Sequence, residues 1–315
     1  MKKDLRIVFM GTPDFAVTIL KHLVDHNYNI VAVITATDKL AGRGRKLNES
    51  AVKKYALSEN LRILQPKNLK NEEFNSELKS LEADLQIVVA FRMLPKSVWQ
   101  MPKLGTFNLH ASLLPEYRGA APIHWAIING EAKTGATTFF IDDKIDTGEI
   151  ILQEEINISD TETVGSLHDK LMYLGADLVA KTVDLIGNGS VKTIKQPELE
   201  EKSAPKLHSE NTKIDWSDSL DNIYNKIRGL NPFPTAWTLI KNNDEEISAK
   251  IYGINKVEEI HYYEIGTLIS SKKEMKVAVK NGFINIKEIK LAGKKKMDAI
   301  SLLNGYRFSD NAKML

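Results

Sequence analysis

Hydrophobic residues in the first two-thirds of this chain come as short apolar runs separated by stretches with helical spacing. Residues 5–10, 30–35 and 85–90 are rich in Leu, Ile and Val, as expected of strands covered on both faces. Residues 105–110 read as another strand after the break at Pro102. Between the first two runs, Phe15, Ala16, Ile19, Leu20 and Leu23 recur at helical spacing, with Thr12 placed to cap that helix and Pro13 to occupy its first position. Residues 119–129 and 163–187 predict further helices. Strands alternating with helices imply an α/β fold, a doubly wound and mostly parallel sheet.

The character changes after residue 188. Residues 188–208 are polar, contain proline and show no period, which predicts a linker. A helix is expected over 219–229, then strand-like runs at 236–240, 247–252, 276–279 and 283–289, divided by short polar turns. Consecutive short strands point to a smaller C-terminal β-barrel. The expected organisation is therefore a domain over 1–189, a linker over 190–208 and a second domain over 209–315.

Composition narrows the class. The 315 residues exceed the usual size of a single core, and 43% hydrophobic content is ample for two. No run approaches the ~18 apolar residues of a membrane span, so no membrane partner is expected. The opening MKKDLR leads directly into a strand without a secretory h-region, so the expected location is cytoplasmic. A chain without cysteine has no disulfide, thiolate nucleophile or Cys-ligated zinc. Its seven histidines show no His-Glu-x-x-His spacing, and no metal is expected.

Net charge is only +2, well short of a strongly basic nucleic-acid binder. Its distribution says more: residues 206–315 hold 18 Lys and Arg against 14 Asp and Glu, about +4, leaving the preceding part near −2. The run DKLAGRGRK at 38–46 is a glycine-rich loop carrying Arg43, Arg45 and Lys46. Such a loop can reach phosphates or a splayed single-stranded end; on composition alone it serves equally as a solvated surface loop.

The candidate chemistry lies in FNLHASLLP at 107–115 and in IDTG at 145–148. Asn108 and His110 share one face of their strand, about 7 Å apart at ~3.3 Å rise per residue. Alone, either would ordinarily be a hydrogen-bonded structural residue. Together they end an apolar strand and precede a proline-terminated loop, and ligands of open α/β sheets bind beyond the carboxyl ends of strands. With Asp146 they suit acyl transfer to an amine, which needs an oxyanion donor, a titratable group and a carboxylate but no enzyme nucleophile. Asp146 can orient the imidazole or accept the proton; the sequence leaves both open. The GTPD turn at 11–14 follows a strand as a dinucleotide loop does, yet it lacks the Gly-x-Gly-x-x-Gly spacing, so no nicotinamide cofactor is expected.

Five segments, VFMGTPDFA at 8–16, AGRGRK at 41–46, FNLHASLLP at 107–115, RGAAP at 118–122 and DTG at 146–148, resemble the methionyl-tRNA formyltransferase family. The likeness runs from the first strand to the KKK cluster at 294–296, and the basic loop and the IDW to NPFP segment at 214–234 are its more specific parts. It implies a formyltransferase Rossmann-like domain followed by an OB-like barrel, with formyl transfer from 10-formyltetrahydrofolate to the α-amino group of methionylated initiator tRNA. Asn108, His110 and Asp146 would be catalytic. Phe91, Arg92, Met93 and Leu94 would flank the pterin, Ser112, Leu113, Leu114 and Pro115 would line the cofactor, and Ile141, Asp142, Asp143 and Lys144 would form the adjacent loop. Arg43, Arg45 and Lys46 would wedge against the tRNA acceptor end, and Lys206, Lys294, Lys295 and Lys296 would meet its backbone. A monomer is expected.

The trio is shared with enzymes that formylate other amines, such as glycinamide ribonucleotide or amino-sugar nucleotides, and with formyl-folate hydrolases. The long C-terminal part and the basic loop argue against the other transferases; against a hydrolase stand the basic loop, which it would leave unexplained, and the absence of the cysteine found in one two-domain relative. A non-catalytic RNA-binding protein on an enzyme scaffold is disfavoured by the intact trio.

Overall fold

The computed structural model of the chain describes residues 4–41, 46–197 and 202–315. By contacts it divides into two units, one of residues 1–119, 134–156 and 168–203, the other of 120–133, 157–167 and 204–315.

In the first unit the buried runs form a seven-stranded sheet. The chain runs through β1 (Ile7–Gly11), α1 (Asp14–Asp25), β2 (Ile30–Ile34), the hairpin β3 (Lys39–Ala41) and β4 (Lys46–Asn48), α2 (Ala51–Ser58), β5 (Ile63–Leu64) and α3 (Glu72–Ser80). It continues through β6 (Leu85–Val89), α4 (Lys96–Trp99) and β7 (Thr106–His110). After α5 (Pro122–Ile128), which belongs to the second unit, come β8 (Lys133–Phe140), β9 (Ile150–Asn157) and α6 (Val164–Gly187). The sheet order is β5-β2-β1-β6-β7-β8-β9, with the first five strands parallel and β8 antiparallel to β7.

Alternation along each strand fixes what covers each face. Val8, Met10, Ala32, Ile34 and Val88 pack with Phe74 and Leu78 of α3 and Val98 of α4. The opposite face meets α6, where Gly175 lies so close to Leu109 that an added Cβ would fall 2.7 Å from its Cδ2. Thr138 and Thr182 join hydroxyls at 2.8 Å on that side, and α1 lies beside α6, Phe15 meeting His168 edge-on at 5.2 Å. Helices on both faces make the sheet doubly wound, as expected. Strand order departs from β1 in both directions, so the carboxyl ends of β1 and β6 form the switch point where such sheets open a crevice.

One local expectation is corrected. Helix α1 begins at Asp14, and Pro13, not Thr12, stands at the cap position with extended backbone and no side-chain cap bond. Asp14 in the first turn instead faces the positive end of the helix dipole.

At the mouth of β6, Asp84 accepts the Arg6 backbone N–H at 3.0 Å and pairs with Lys103 at 2.9 Å. That backbone bond, then Lys103, holds its carboxyl below the usual carboxylate range. A depressed folded pKa gives stability above the unfolded value of about 3.9, lost as pH falls through the folded value. Asp84→Asn should therefore lower stability by about 1–2 kcal/mol near neutrality, with the gap narrowing toward pH 3. Urea midpoints of both proteins across that range check this; a constant gap would contradict it.

The second unit contains α5, α7 (Ser209–Thr212), α8 (Leu220–Gly229), β10 (Ala236–Asn242), β11 (Glu245–Ile251), β12 (Ile254–Glu258), β13 (Leu268–Ser270) and β14 (Met275–Val279). It ends with β15 (Gly282–Ile286), β16 (Glu288–Leu291), β17 (Met297–Asp298), α9 (Ala299–Gly305) and β18 (Lys313–Met314). Two antiparallel sheets, β17-β16-β11-β10-β18 and β12-β15-β14-β13, join into a small barrel. At one junction Gly253 O accepts the N–H groups of Lys287 and Glu288, and at the other Thr267 bridges Lys313. The run 283–289, expected as one strand, is therefore two, because the chain bends there from one sheet to the other. Ile240, Ile251, Val277, Ile284 and Ile289 fill the interior against Ile223 and Ile227 of α8.

Residues 157–167 join this unit through the buried Arg228, whose Nη1 donates to Ser159 O at 3.2 Å and Glu162 O at 2.9 Å. Among the described residues no helix is long and apolar enough to cross a membrane.

Candidate active site

The first unit brings Asn108, His110 and Asp146 together. Asn108 pairs in register with Val88 and Phe139, and His110 ends β7 opposite Thr137. Register partners share a face, so Asn108 projects from the side that carries α3 and α4, away from Leu109 and α6. Asn108 is half-buried and its carboxamide has no hydrogen-bond partner among the described residues, which leaves it free to donate to a ligand.

His110 is buried. Its Nε2 lies 2.8 Å from Tyr117 O. A carbonyl only accepts, so Nε2 carries a proton and Nδ1 is the nitrogen left to exchange one. Nδ1 faces Asp146 Oδ2 at 3.8 Å, too long for a hydrogen bond but close for a charge pair. Of the two roles open to Asp146, fixing the tautomer is taken by the Tyr117 carbonyl instead.

Asp146 arrives on the connection from β8 to β9, which folds back toward β7. That return depends on Gly148, where a Cβ would lie 1.6 Å from Phe140 O. The carboxylate accepts the Gly119 N–H through Oδ2 at 3.0 Å, and Arg118 Nε donates to Asp146 O at 2.9 Å. Three non-glycine residues around the carboxyl ends hold positive φ: Ala90 at 46°, Tyr117 at 61° and Asp146 at 56°. Such strain concentrates at functional sites.

The expected folate contacts are placed as follows. Ala90 leads β6 into Phe91, Arg92, Met93 and Leu94 at the switch point. Leu94 is buried in the core with Phe91 and Ile141 packed against it, and Met93 is 68% exposed. Arg92 lies over the Phe91 ring and donates to Lys67 O at 2.9 Å and to Pro66 O, so its guanidinium is engaged by neighbouring backbone. Ser112 is buried, with its hydroxyl donating to Glu116 O at 2.6 Å. Leu114 packs on Phe139 and Ile150, and Gln153 Nε2 holds its carbonyl at 2.8 Å. Leu113 lies against Gly135, while Pro115 is half-buried. Asp142 accepts from the Thr147 hydroxyl at 2.8 Å and the Lys144 N–H at 3.0 Å, and Asp143 faces Lys96 at 3.8 Å.

Of the expected RNA contacts, Arg43 and Arg45 lie outside the described residues, as does the side chain of Lys46, whose backbone is in β4. Lys206, Lys294, Lys295 and Lys296 are exposed in the second unit. Lys296 is paired with Glu288 at 3.0 Å and lies over the Tyr252 ring; Lys294 lies over Tyr306 at 5.8 Å.

The stretch 190–208, expected as a linker, is engaged: Ile194 pairs with Ile150, Gln196 is buried, and Lys202 O accepts the Tyr117 N–H at 2.6 Å. Neither the Tyr117 carbonyl nor Gln196 was found by sequence reasoning. A backbone acceptor leaves no mark on residue type, and Gln196 stands 50 positions from the Asp146 it touches.

The chain is similar to known proteins along nearly its whole length. The family profile described as formyl transferase matches residues 5–183, and the one described as its C-terminal domain matches 206–307. A protein of Flavobacterium johnsoniae named methionyl-tRNA formyltransferase is 61% identical over 313 residues, covering 99% of both chains. One of the same name from Flavobacterium psychrophilum is 58% identical over 312 residues, covering 98% of this chain and 99% of its own. The crystal structure of an N-formyltransferase from Helicobacter canadensis, in complex with folinic acid and dTDP-3-aminofucose, superimposes with TM-score 0.67 at 21% identity, covering 93% of this chain and 100% of its own. At that identity the likeness is one of fold.

Proposed function

The chain belongs to the formyl transferase family, among the methionyl-tRNA formyltransferases, and on that premise we propose that it moves the formyl group of 10-formyltetrahydrofolate onto the α-amino group of methionylated initiator tRNA. Full-length identity above one half to proteins of that name carries the choice of acceptor, and the free Asn108 amide beside the His110–Asp146 pair supports the chemistry.

An α-amino group has a pKa of about 8, lowered by the neighbouring ester, so neutral amine is present near neutral pH. Its lone pair attacks the formyl carbon. Asn108 Nδ2 donates to the oxyanion that develops, an interaction stronger in the transition state than before it. His110 Nδ1 takes the ammonium proton, and Asp146 stabilises the imidazolium so formed. Collapse breaks the bond from carbon to N10, the His110 imidazolium returns its proton to that nitrogen, and tetrahydrofolate leaves with N-formylmethionyl-tRNA as product.

In this reading residues 1–189 hold the folate and the reacting groups, with Phe91, Met93 and the 112–115 and 141–144 loops around the donor. Residues 209–315 engage tRNA through Lys294 and Lys295, helped by Lys206 and the basic loop. The same proposal has a cytoplasmic monomer working without a metal.

Formylation of methionyl-tRNA should therefore weaken with added salt, because each phosphate contact releases a condensed counterion and that gain shrinks as bulk salt rises, and Lys294→Ala/Lys295→Ala should reduce the slope of log kcat/KM against log salt by about 1–2. An unchanged slope would assign those lysines to solvation alone.

A further inference from the structure

We infer that Gln196 is a positioning residue for the catalytic loop, and that the stretch following α6 is part of the active-site frame. Gln196 is 6% exposed. Its Nε2 donates to Asp146 O at 3.0 Å and Gly148 O at 2.7 Å, while its Oε1 accepts from Arg118 Nε at 3.1 Å and from Arg118 Nη2. Two donors and two lone pairs are the full capacity of a carboxamide, and all are spent on the backbone carrying Asp146 and on the arginine beside it. Nothing in the amide faces the reacting atoms.

The same stretch supports His110. Ile194 exchanges both backbone bonds with Ile150 at 2.8 Å, anchoring the strand-like segment just before Gln196. Lys202 then accepts the Tyr117 N–H through its carbonyl and donates its own N–H to Glu116 Oε2 at 3.2 Å. Tyr117 is the residue whose carbonyl holds His110 Nε2. Gln196 thus fixes the acid partner, and the backbone at Lys202 fixes the residue that orients the imidazole.

Asp146 sits at φ 56°, a left-handed conformation that aspartate tolerates better than most residues but that still favours glycine, and the Gln196 bonds to the Asp146 and Gly148 carbonyls hold the backbone in it. Without Gln196 the Gly148 carbonyl loses its donor, and the loop relaxes. At 3.8 Å the separation of His110 Nδ1 and Asp146 Oδ2 has no slack for a shift of that kind. A misplacement of about 1 Å is enough to cost 10²-fold in rate.

The test measures kcat and both KM values for formyl transfer to methionyl-tRNA by the full chain. Gln196→Ala should lower kcat about 10- to 100-fold, with each KM within about threefold of wild type. Gln196→Glu keeps the Arg118 acceptor and the bulk but loses both donors, so it should show a comparable fall; it carries the test if thermal unfolding shows Gln196→Ala to be unfolded. In a cycle with Asp146→Ala, adding Gln196→Ala should cost no more than about twofold further, because the residue acts through Asp146. Wild-type kcat in both variants, or losses that multiply in the double variant, would overturn the inference. It rests on the proposed roles of His110 and Asp146: a wild-type chain that fails to transfer overturns those roles and the inference together, whereas transfer indifferent to Gln196 overturns the inference alone.

Discussion

His110→Ala is expected to lower kcat for formyl transfer by about 10²–10⁴-fold while leaving the affinity for tRNA and for the formyl donor within a few-fold. Nε2 is committed to the Tyr117 carbonyl, so Nδ1, facing Asp146, is the only ring position able to move a proton. Elsewhere in the first unit, His22 and His26 stack on each other along α1, and His168 lies against Phe15. The alanine variant also removes the bond from His110 Nε2 to the Tyr117 carbonyl, at a cost of about 0.5–1.5 kcal/mol in stability. His110→Gln separates the two effects, since a carboxamide can still reach Tyr117 O but cannot titrate. Both variants should show that loss of kcat, and only the alanine form should be measurably less stable. Turnover near wild type in either would remove His110 from the chemistry.

Asn108→Ala should lower kcat about 10²–10³-fold, equivalent to about 2.7–4 kcal/mol of lost oxyanion stabilisation, with KM for both substrates little changed. Its carboxamide bonds to nothing among the described residues, so its loss should leave thermal stability close to wild type, unlike His110→Ala. The oxyanion exists only after attack, which is why the effect falls on kcat. A raised KM with unchanged kcat would make Asn108 a ground-state contact and leave the oxyanion without its assigned donor.

These residues were legible in the sequence because chemistry by side chain leaves residue types in place, and alternation along a strand says which of them face together. The buried strands were legible for the same reason: β1, β2 and β6 are Ile- and Val-rich, and α6 at Val164–Gly187 follows the expected 163–187 closely. The β8 strand was not, although it is buried, because Thr134, Thr137 and Thr138 sit at 0–3% exposure and read as polar. In β12 the burial is slight along the whole strand, so no alternation marked it. The short helices α2 and α3 bury two side chains each, too few to show a period.

The supports of the site were illegible for a different reason. Tyr117 acts through its carbonyl, and Gln196 acts across 50 residues from a stretch with no period. The folate loops show the same limit in reverse: Leu94 and Leu114 were both expected beside the donor, and both side chains are buried. A run of sequence can be placed beside a ligand while individual members of it turn inward, and only the packing decides which.

The most direct measurement offers the full chain labelled 10-formyltetrahydrofolate with methionyl-tRNA, with an amino-sugar nucleotide, and with no acceptor, following both label and tetrahydrofolate release. The account predicts label on the α-amino group of methionyl-tRNA, tetrahydrofolate released in step with it, and no appreciable reaction in the other two mixtures. Label passing only to the sugar nucleotide, or tetrahydrofolate released without any acceptor, would contradict it.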